Sequence, residues 1–233
     1  MNLFTTRPHD TATDANAQQF LMSQFLMGKS FITLGIIASV SEDGNVVSVK
    51  PMVEGFTGSG DINPNSIING VPVWRLQRGS SAVIMPPVVG DIGMIAICDR
   101  DISVVKAKKK PALPGSNRTH NYADAIYLGG VINTEPSQYV KFSDAGIDVA
   151  SPLDINVNGR NVAINASAKA SVNSPVIELN GAVNQGSGSL GGNATFGGSV
   201  TVSGEVTGSG VKLSTHTHGG VQSGNNRTTG PGS

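Results

Sequence analysis

From residue 145 to the C-terminus the chain has one aromatic side chain, Phe196, and it alternates small and medium aliphatic residues with Asn, Ser, Ala and Lys. Ile147 and Val149 lead into Leu153, Ile155 and Val157 in steps of two. After Asn158-Gly159-Arg160-Asn161 the alternation resumes in the opposite phase, through Val162, Ile164, Ala166, Ala168, Ala170 and Val172. Ile177 and Leu179, then Val200, Val202 and Val206, then Val211 and Leu213 continue it. In a β-strand every second residue shares a face, so each of these strands buries one side only. A segment with so few large side chains cannot fill a wide core by itself, and isolated strands leave their edges unpaired. Three identical chains wound about a common axis answer both problems. Their apolar faces meet along a narrow dry interior, and their edges pair between chains. The stretch 139–213 is therefore expected to be the shaft of an intertwined, homotrimeric, triple-stranded β-helix. A single-chain parallel β-helix would instead want longer, bulkier coils at a regular period.

The preceding part of the chain is different in kind. It holds the other six Phe, all three Tyr and Trp74, while more than half of the 30 glycines fall after residue 144. Residues 1–29 form an N-terminal arm. Within it, 11–28 predicts a short helix: Thr11 and Asp14 have capping-box spacing, Phe20, Leu21, Gln24 and Phe25 fall on neighbouring turns, and Gly28 ends it. The plainer reading of this helix is an arm docked on its own domain; the alternative is a partner-binding helix. Over 30–110 the pattern is strand-like. A β-branched run, Phe31 to Val40, is followed by Glu42-Asp43-Gly44-Asn45, a hairpin signal, and by a return strand from Val46 to Val53. Val71-Pro72-Val73-Trp74, Ser81 to Met85, Ile92 to Cys98 and Ile102 to Val105 predict further short strands. Five or so short strands in this length suit a small closed barrel of the OB type, giving an all-β protein with one short helix. The stretch 111–138, opening on Pro111-Ala112-Leu113-Pro114-Gly115, reads as a linker, and Lys106 with Lys108, Lys109 and Lys110 as a solvated strand end.

Charge narrows the function. The 16 basic and 16 acidic residues cancel, whereas a nucleic-acid binder needs a basic surface to displace counterions. Charged residues make up 14% and aromatics 5% of the chain, less than an ordinary globular enzyme of this size carries. Cys98 is the single cysteine, so no intrachain disulfide stabilises the fold; it ends an apolar strand and reads as a small buried hydrophobe. Asp99 and Asp101 could pose as a catalytic pair, but no histidine or third acid stands near them in sequence, and a turn is the better reading. The shaft offers only Asp148, Asp154, Glu178 and Glu205, scattered along it, where a glycosidase would need two placed acids. The chain is expected not to be an enzyme. No apolar run approaches the roughly 20 residues that cross a bilayer. Met1 to Arg7 has no signal-peptide pattern, so assembly in the cytoplasm of a host is expected.

The strongest local signal is Ser214-Thr215-His216-Thr217-His218-Gly219-Gly220. In a strand, His216 and His218 would share a face with Cα atoms about 6.6 Å apart. They continue the inward row Val211, Leu213 only if the strand slips phase at Ser214-Thr215. With threefold symmetry, two histidines per chain give six imidazole nitrogens around one axis point. Structural zinc prefers four ligands, so six nitrogens favour a six-coordinate ion such as iron, with nickel and cobalt geometrically admissible. His9 and His120 have no spaced partner and are given no role.

This C-terminal run, Thr215 to Val221 after Val200 to Val211, resembles the end of phage central spike proteins, the baseplate assembly protein V group of contractile tails. Val71 to Trp74, Met85-Pro86-Pro87-Val88-Val89-Gly90-Asp91-Ile92-Gly93-Met94 and Cys98 to Ile102 resemble the OB domain of the same spikes. The resemblance implies a homotrimer in the virion's tail baseplate, with the OB domain as a collar on the tail hub. It also implies a β-helical shaft and a pointed apex, 214–233, in which one iron ion per trimer is bound by His216 and His218. Such a spike would contact and pierce the host outer membrane when the sheath contracts. Some relatives carry a lysozyme domain between collar and shaft; the short interval here gives no reason to expect one. The alternative is a trimeric receptor-binding fibre or adhesin, which would need an aromatic-bearing recognition head.

Overall fold

A computed structural model of the chain describes residues 8–57, 60–186 and 191–217. By its contacts the chain divides into two compact units, Met1–Val157 and Asn158–Ser233.

The first unit opens on a 3-10 turn, Pro8–Thr11, and helix α1, Asp14–Met27. The cap is Thr13, two residues later than the capping-box spacing predicts: its hydroxyl accepts the Asn16 N–H at 3.2 Å. Gly28 closes the helix, its N–H reaching the carbonyls of Gln24 and Leu26. Leu21, Met22, Phe25 and Leu26 are all exposed, so α1 does not lay an apolar face on its own domain as expected of a docked arm. Phe20, Leu21, Met22, Phe25, Leu26 and Met27 spread around the whole circumference rather than one stripe, so no single face can cover them.

The barrel strands follow in order. They are β1 (Ile32–Val40), β2 (Val46–Pro51), β3 (Gly55–Phe56), β4 (Ile62–Asn63), β5 (Ile68–Pro72), β6 (Leu76–Arg78), β7 (Ser81–Val83) and β8 (Ile92–Ile97). Helix α2 (Ser103–Lys108) comes next, then a 3-10 turn and β9 (Ala125–Gly130). The main sheet has the order β5-β2-β1-β8-β9, antiparallel at each ladder. β3–β4 and β6–β7 form separate small hairpins. Alternation selects the core: Ile37 of β1, Val47 and Val49 of β2, Val71 of β5, Ile95 and Ile97 of β8, Ala125 and Tyr127 of β9 are buried together. The sheet curls into an OB-like half-barrel. Its edges meet in a single parallel bridge, Val73 to Tyr127, where the Trp74 N–H donates to the Tyr127 carbonyl at 2.8 Å. Closure is thus one bridge, where the sequence suggests a fully closed barrel.

The Asp43-Gly44 signal marks the β1–β2 turn. Gly44 has φ +64, and the Asp43 carboxylate accepts from the Ser41 hydroxyl at 2.6 Å and the Asn45 N–H at 3.0 Å. These bonds, Ser41's foremost, hold its carboxyl at about 2. Gly93 is required by close approach: a methyl there would overlap the buried Tyr127 ring.

Three sequence expectations change here. Ile102 to Val105 lies at the start of α2 rather than in a strand. The lysines therefore end a helix, where positive charge meets the carbonyl end of the macrodipole. And the stretch 111–138 supplies β9, the fifth strand, so it is part of the barrel and not simply a linker.

What ties that stretch down is a buried ionic cluster. Arg118 reaches Asp124 through Nε at 2.6 Å and Asp101 through a terminal nitrogen at 2.8 Å, while Asp101 also accepts the Ser116 hydroxyl and the Ser103 N–H. Ser103, then Ser116 and the Arg118 charge, hold the Asp101 carboxyl at about 2; Arg118 and the Ile102 N–H lower Asp124. Asp101 is thus a buried anchor and Asp99 an exposed neighbour. Cys98 is half-buried, and burial pushes its thiol up, away from nucleophilic chemistry.

Beyond the barrel, β10 (Tyr139–Ser143) and β11 (Gly146–Ala150) make an antiparallel hairpin. One face carries Val140, Phe142, Ile147 and Val149, all exposed; the other pairs Lys141 with Asp148. In the second unit, β12 (Thr207–Gly208) pairs with β13 (Val211–Lys212). No described residue between 151 and 206 belongs to a strand. The alternating aliphatics of this stretch, Leu153 through Val206, stand exposed. A single chain therefore shows no triple-stranded β-helix.

Candidate metal centre

The site begins with the β12–β13 hairpin. Ser209 (φ +49) and Gly210 (φ +84) turn it, both central residues in the left-handed region as a two-residue hairpin demands. Two residue pairs, Thr207 with Lys212 and Gly208 with Val211, form the ladder, and the Leu213 N–H adds a bond to the Val206 carbonyl at 2.9 Å.

After Lys212 the strand stops. Leu213, Ser214 and Thr215 turn, and the His216 N–H donates back to the Lys212 carbonyl at 3.1 Å. This turn breaks the strand phase between Leu213 and His216. The His216 ring then folds back, with Nδ1 2.8 Å from the Leu213 carbonyl oxygen. A carbonyl only accepts, so this contact places the hydrogen on Nδ1 and the lone pair of the neutral ring on Nε2. A metal-binding imidazole is commonly oriented in this way, by a carbonyl holding its other nitrogen.

Glu205 completes the local frame. Its Oε1 accepts the Ser214 N–H at 3.1 Å, and its Oε2 accepts the Ser214 hydroxyl. These bonds, the hydroxyl's first, lower the carboxyl below the usual range and keep it an acceptor. The sequence shows Glu205 only as one scattered acid; its separation of nine residues from Ser214 acquires meaning once the hairpin is known.

His218 lies outside the described residues, as do residues 219–233, so the pairing of His216 with His218 rests on sequence. Among the described residues of one chain, no three His, Cys, Asp or Glu side chains gather to hold a metal ion. The chemistry of His216 fits a metal ligand: the contact to Leu213 leaves Nε2 as the nitrogen that carries the lone pair. Of the histidines given no role, His120 packs on Phe31 with ring centroids 4.5 Å apart and its Nδ1 buried without a hydrogen-bond partner.

Comparison with known protein families finds two matches. Residues 34–130 match the phage protein Gp138 N-terminal domain, and residues 210–232 match the GpV Apex motif. The first spans the barrel from within β1 to the end of β9, and so includes the strand that the sequence hides in a linker. The second starts in the β12–β13 turn and contains both His216 and His218. A search of curated proteins finds no match. The two family matches and the OB-like sheet support a structural role in a phage tail spike or baseplate.

Proposed function

We propose that this chain is the central spike of a contractile phage tail baseplate, a homotrimeric needle that pierces the host outer membrane on sheath contraction. The observation that carries the reading is the uncovered row of aliphatics leading to the apex motif. Leu153, Ile155 and Val157, then Val162, Ile164 and Val172, then Ile177 and Leu179 fall in runs each spaced for one strand face, yet one chain leaves them exposed. Two further copies supply the missing cover and the missing strand partners at once.

In the trimer the barrel is the collar that seats on the tail hub, and the shaft carries axial load. Strands hydrogen-bonded between three chains share that load and present no free edge from which to peel. Toward the apex the apolar residues thin out, and packing alone gives little to hold the ends together. His216 and His218 of three chains would hold one iron ion there; when bound, it supplies six-coordinate closure of the tip. This chain's contribution is to end the strand at Lys212, break the strand phase before His216 and fix its tautomer through Leu213.

The test is absolute mass in solution together with elemental analysis. Three chains and one iron per particle are expected, and replacing both His216 and His218 by Ala should remove the iron. A monomeric protein, or a double variant that keeps its metal, would overturn the reading.

A further inference from the structure

We propose that Glu205 is a positioning residue for the metal-binding edge of His216, acting through Ser214 and the carbonyl of Leu213; this rests on the assignment of His216 as a ligand made above. The β12–β13 ladder is two residue pairs long, and so short a hairpin is marginal without further ties. Next to it the chain places Leu213, whose N–H is held by Val206, and then Ser214, where the backbone begins to leave the strand. At that point one carboxylate takes the place of the next rung. Glu205 accepts both donors of Ser214, backbone N–H and hydroxyl, one on each oxygen.

The consequence falls on the neighbouring peptide. The Leu213 carbonyl belongs to the peptide unit whose N–H is that of Ser214, and peptide planarity couples their directions. Holding the N–H on Glu205 therefore fixes where the Leu213 oxygen points, and that oxygen holds His216 Nδ1 at 2.8 Å. The direction of Nε2 follows from the ring's anchored side. A carboxylate suits this task because it offers two acceptor oxygens and no donor. Glutamine keeps one acceptor and turns a donor toward the hydroxyl; alanine keeps nothing.

A residue that merely stabilised the hairpin would change its melting and leave the bound metal's environment alone. The experiment therefore uses the full-length trimer and reads the metal. Fe(II)-loaded wild type, Glu205→Ala, Glu205→Gln and Ser214→Ala are challenged with a chelator, and the Co(II)-loaded proteins are compared by their d–d absorption. Glu205→Ala is expected to release iron about 10- to 100-fold faster, the usual cost of losing an outer-shell partner, and to shift the Co(II) bands. Glu205→Gln should recover part of both, and Ser214→Ala, which keeps the N–H bond, should lose less than Glu205→Ala. Wild-type release rates and unchanged Co(II) bands in Glu205→Ala would overturn the proposal while leaving the spike reading intact. If Glu205→Ala does not assemble, Glu205→Gln decides: release faster than wild type with shifted Co(II) bands supports the proposal, and the wild-type rate with unchanged bands overturns it. A wild-type trimer that takes up neither metal overturns the His216–His218 assignment itself, and this inference with it.

Discussion

Ile95 and Ile164 are the same side chain in the same kind of alternating sequence, yet the first is 0% exposed and the second 83%. The barrel strands find partners within the chain. β1 is flanked by β2 and β8, and a curled sheet encloses one face of each. The stretch after residue 150 has the same period of two but few bulky residues to fold it back on itself, and no strand among its described residues up to 206. Period-two alternation thus specifies that a face must be buried, not by what. In the barrel the answer is intramolecular; after residue 150 a single chain leaves the described aliphatics exposed.

The contrast is open to attack at several strengths. Replacing Ile95 by Ala should cost the barrel about 2–5 kcal/mol, since a fully enclosed side chain leaves a cavity; urea unfolding of the collar would show it, and a loss under 1 kcal/mol would deny that the barrel is self-sufficient. Gly93→Ala forces a methyl against the sealed Tyr127 ring and should cost about 1–3 kcal/mol by overpacking in the same measurement. Acid gives a graded effect. Asp101 sits at about 2 against an ordinary 3.8, and Asp124 is lowered likewise. A depressed carboxylate contributes stability that is complete above the ordinary value and lost as pH falls through the folded one. Barrel melting should therefore hold steady from pH 8 to 5 and fall between about pH 4 and 2, with a shallower fall in Asp101→Asn. The smallest effect is expected from Ile164→Ser, within about 0.5 kcal/mol on collar unfolding because a single chain leaves that side chain in solvent. The same substitution should lower the temperature at which the trimer dissociates; an unchanged trimer would place Ile164 outside the interface.

Much of the barrel is legible from residues alone. Asp43-Gly44 marks the first hairpin because few residues accept a positive φ, and Ile92 to Ile97 announces a buried strand by its unbroken apolar run. The linker reading of 111–138 misses β9 because Pro111, Pro114 and Gly115 dominate its start, while Ala125 and Tyr127 gain their weight only by packing across the sheet. Asp101 looks like a turn residue beside Asp99; that Arg118, 17 positions on, bridges it to Asp124 is a long-range fact no spacing conveys. At the candidate metal centre the His-x-His pair is visible at once, whereas the device that aims His216 is not, because Glu205 meets Ser214 only after a hairpin has folded between them.

Sequence by itself determined the two kinds of segment, the period-two alternation of the C-terminal stretch and the residue types offered at the apex, since these follow from side-chain size, period and donor chemistry. Tertiary structure alone decided which strand completes the sheet, which carboxylates are sealed with Arg118, and how the chain turns after Lys212 to present His216. Those outcomes depend on which distant groups reach hydrogen-bonding distance, and proximity in space is a property of the folded backbone rather than of the order of residues along it.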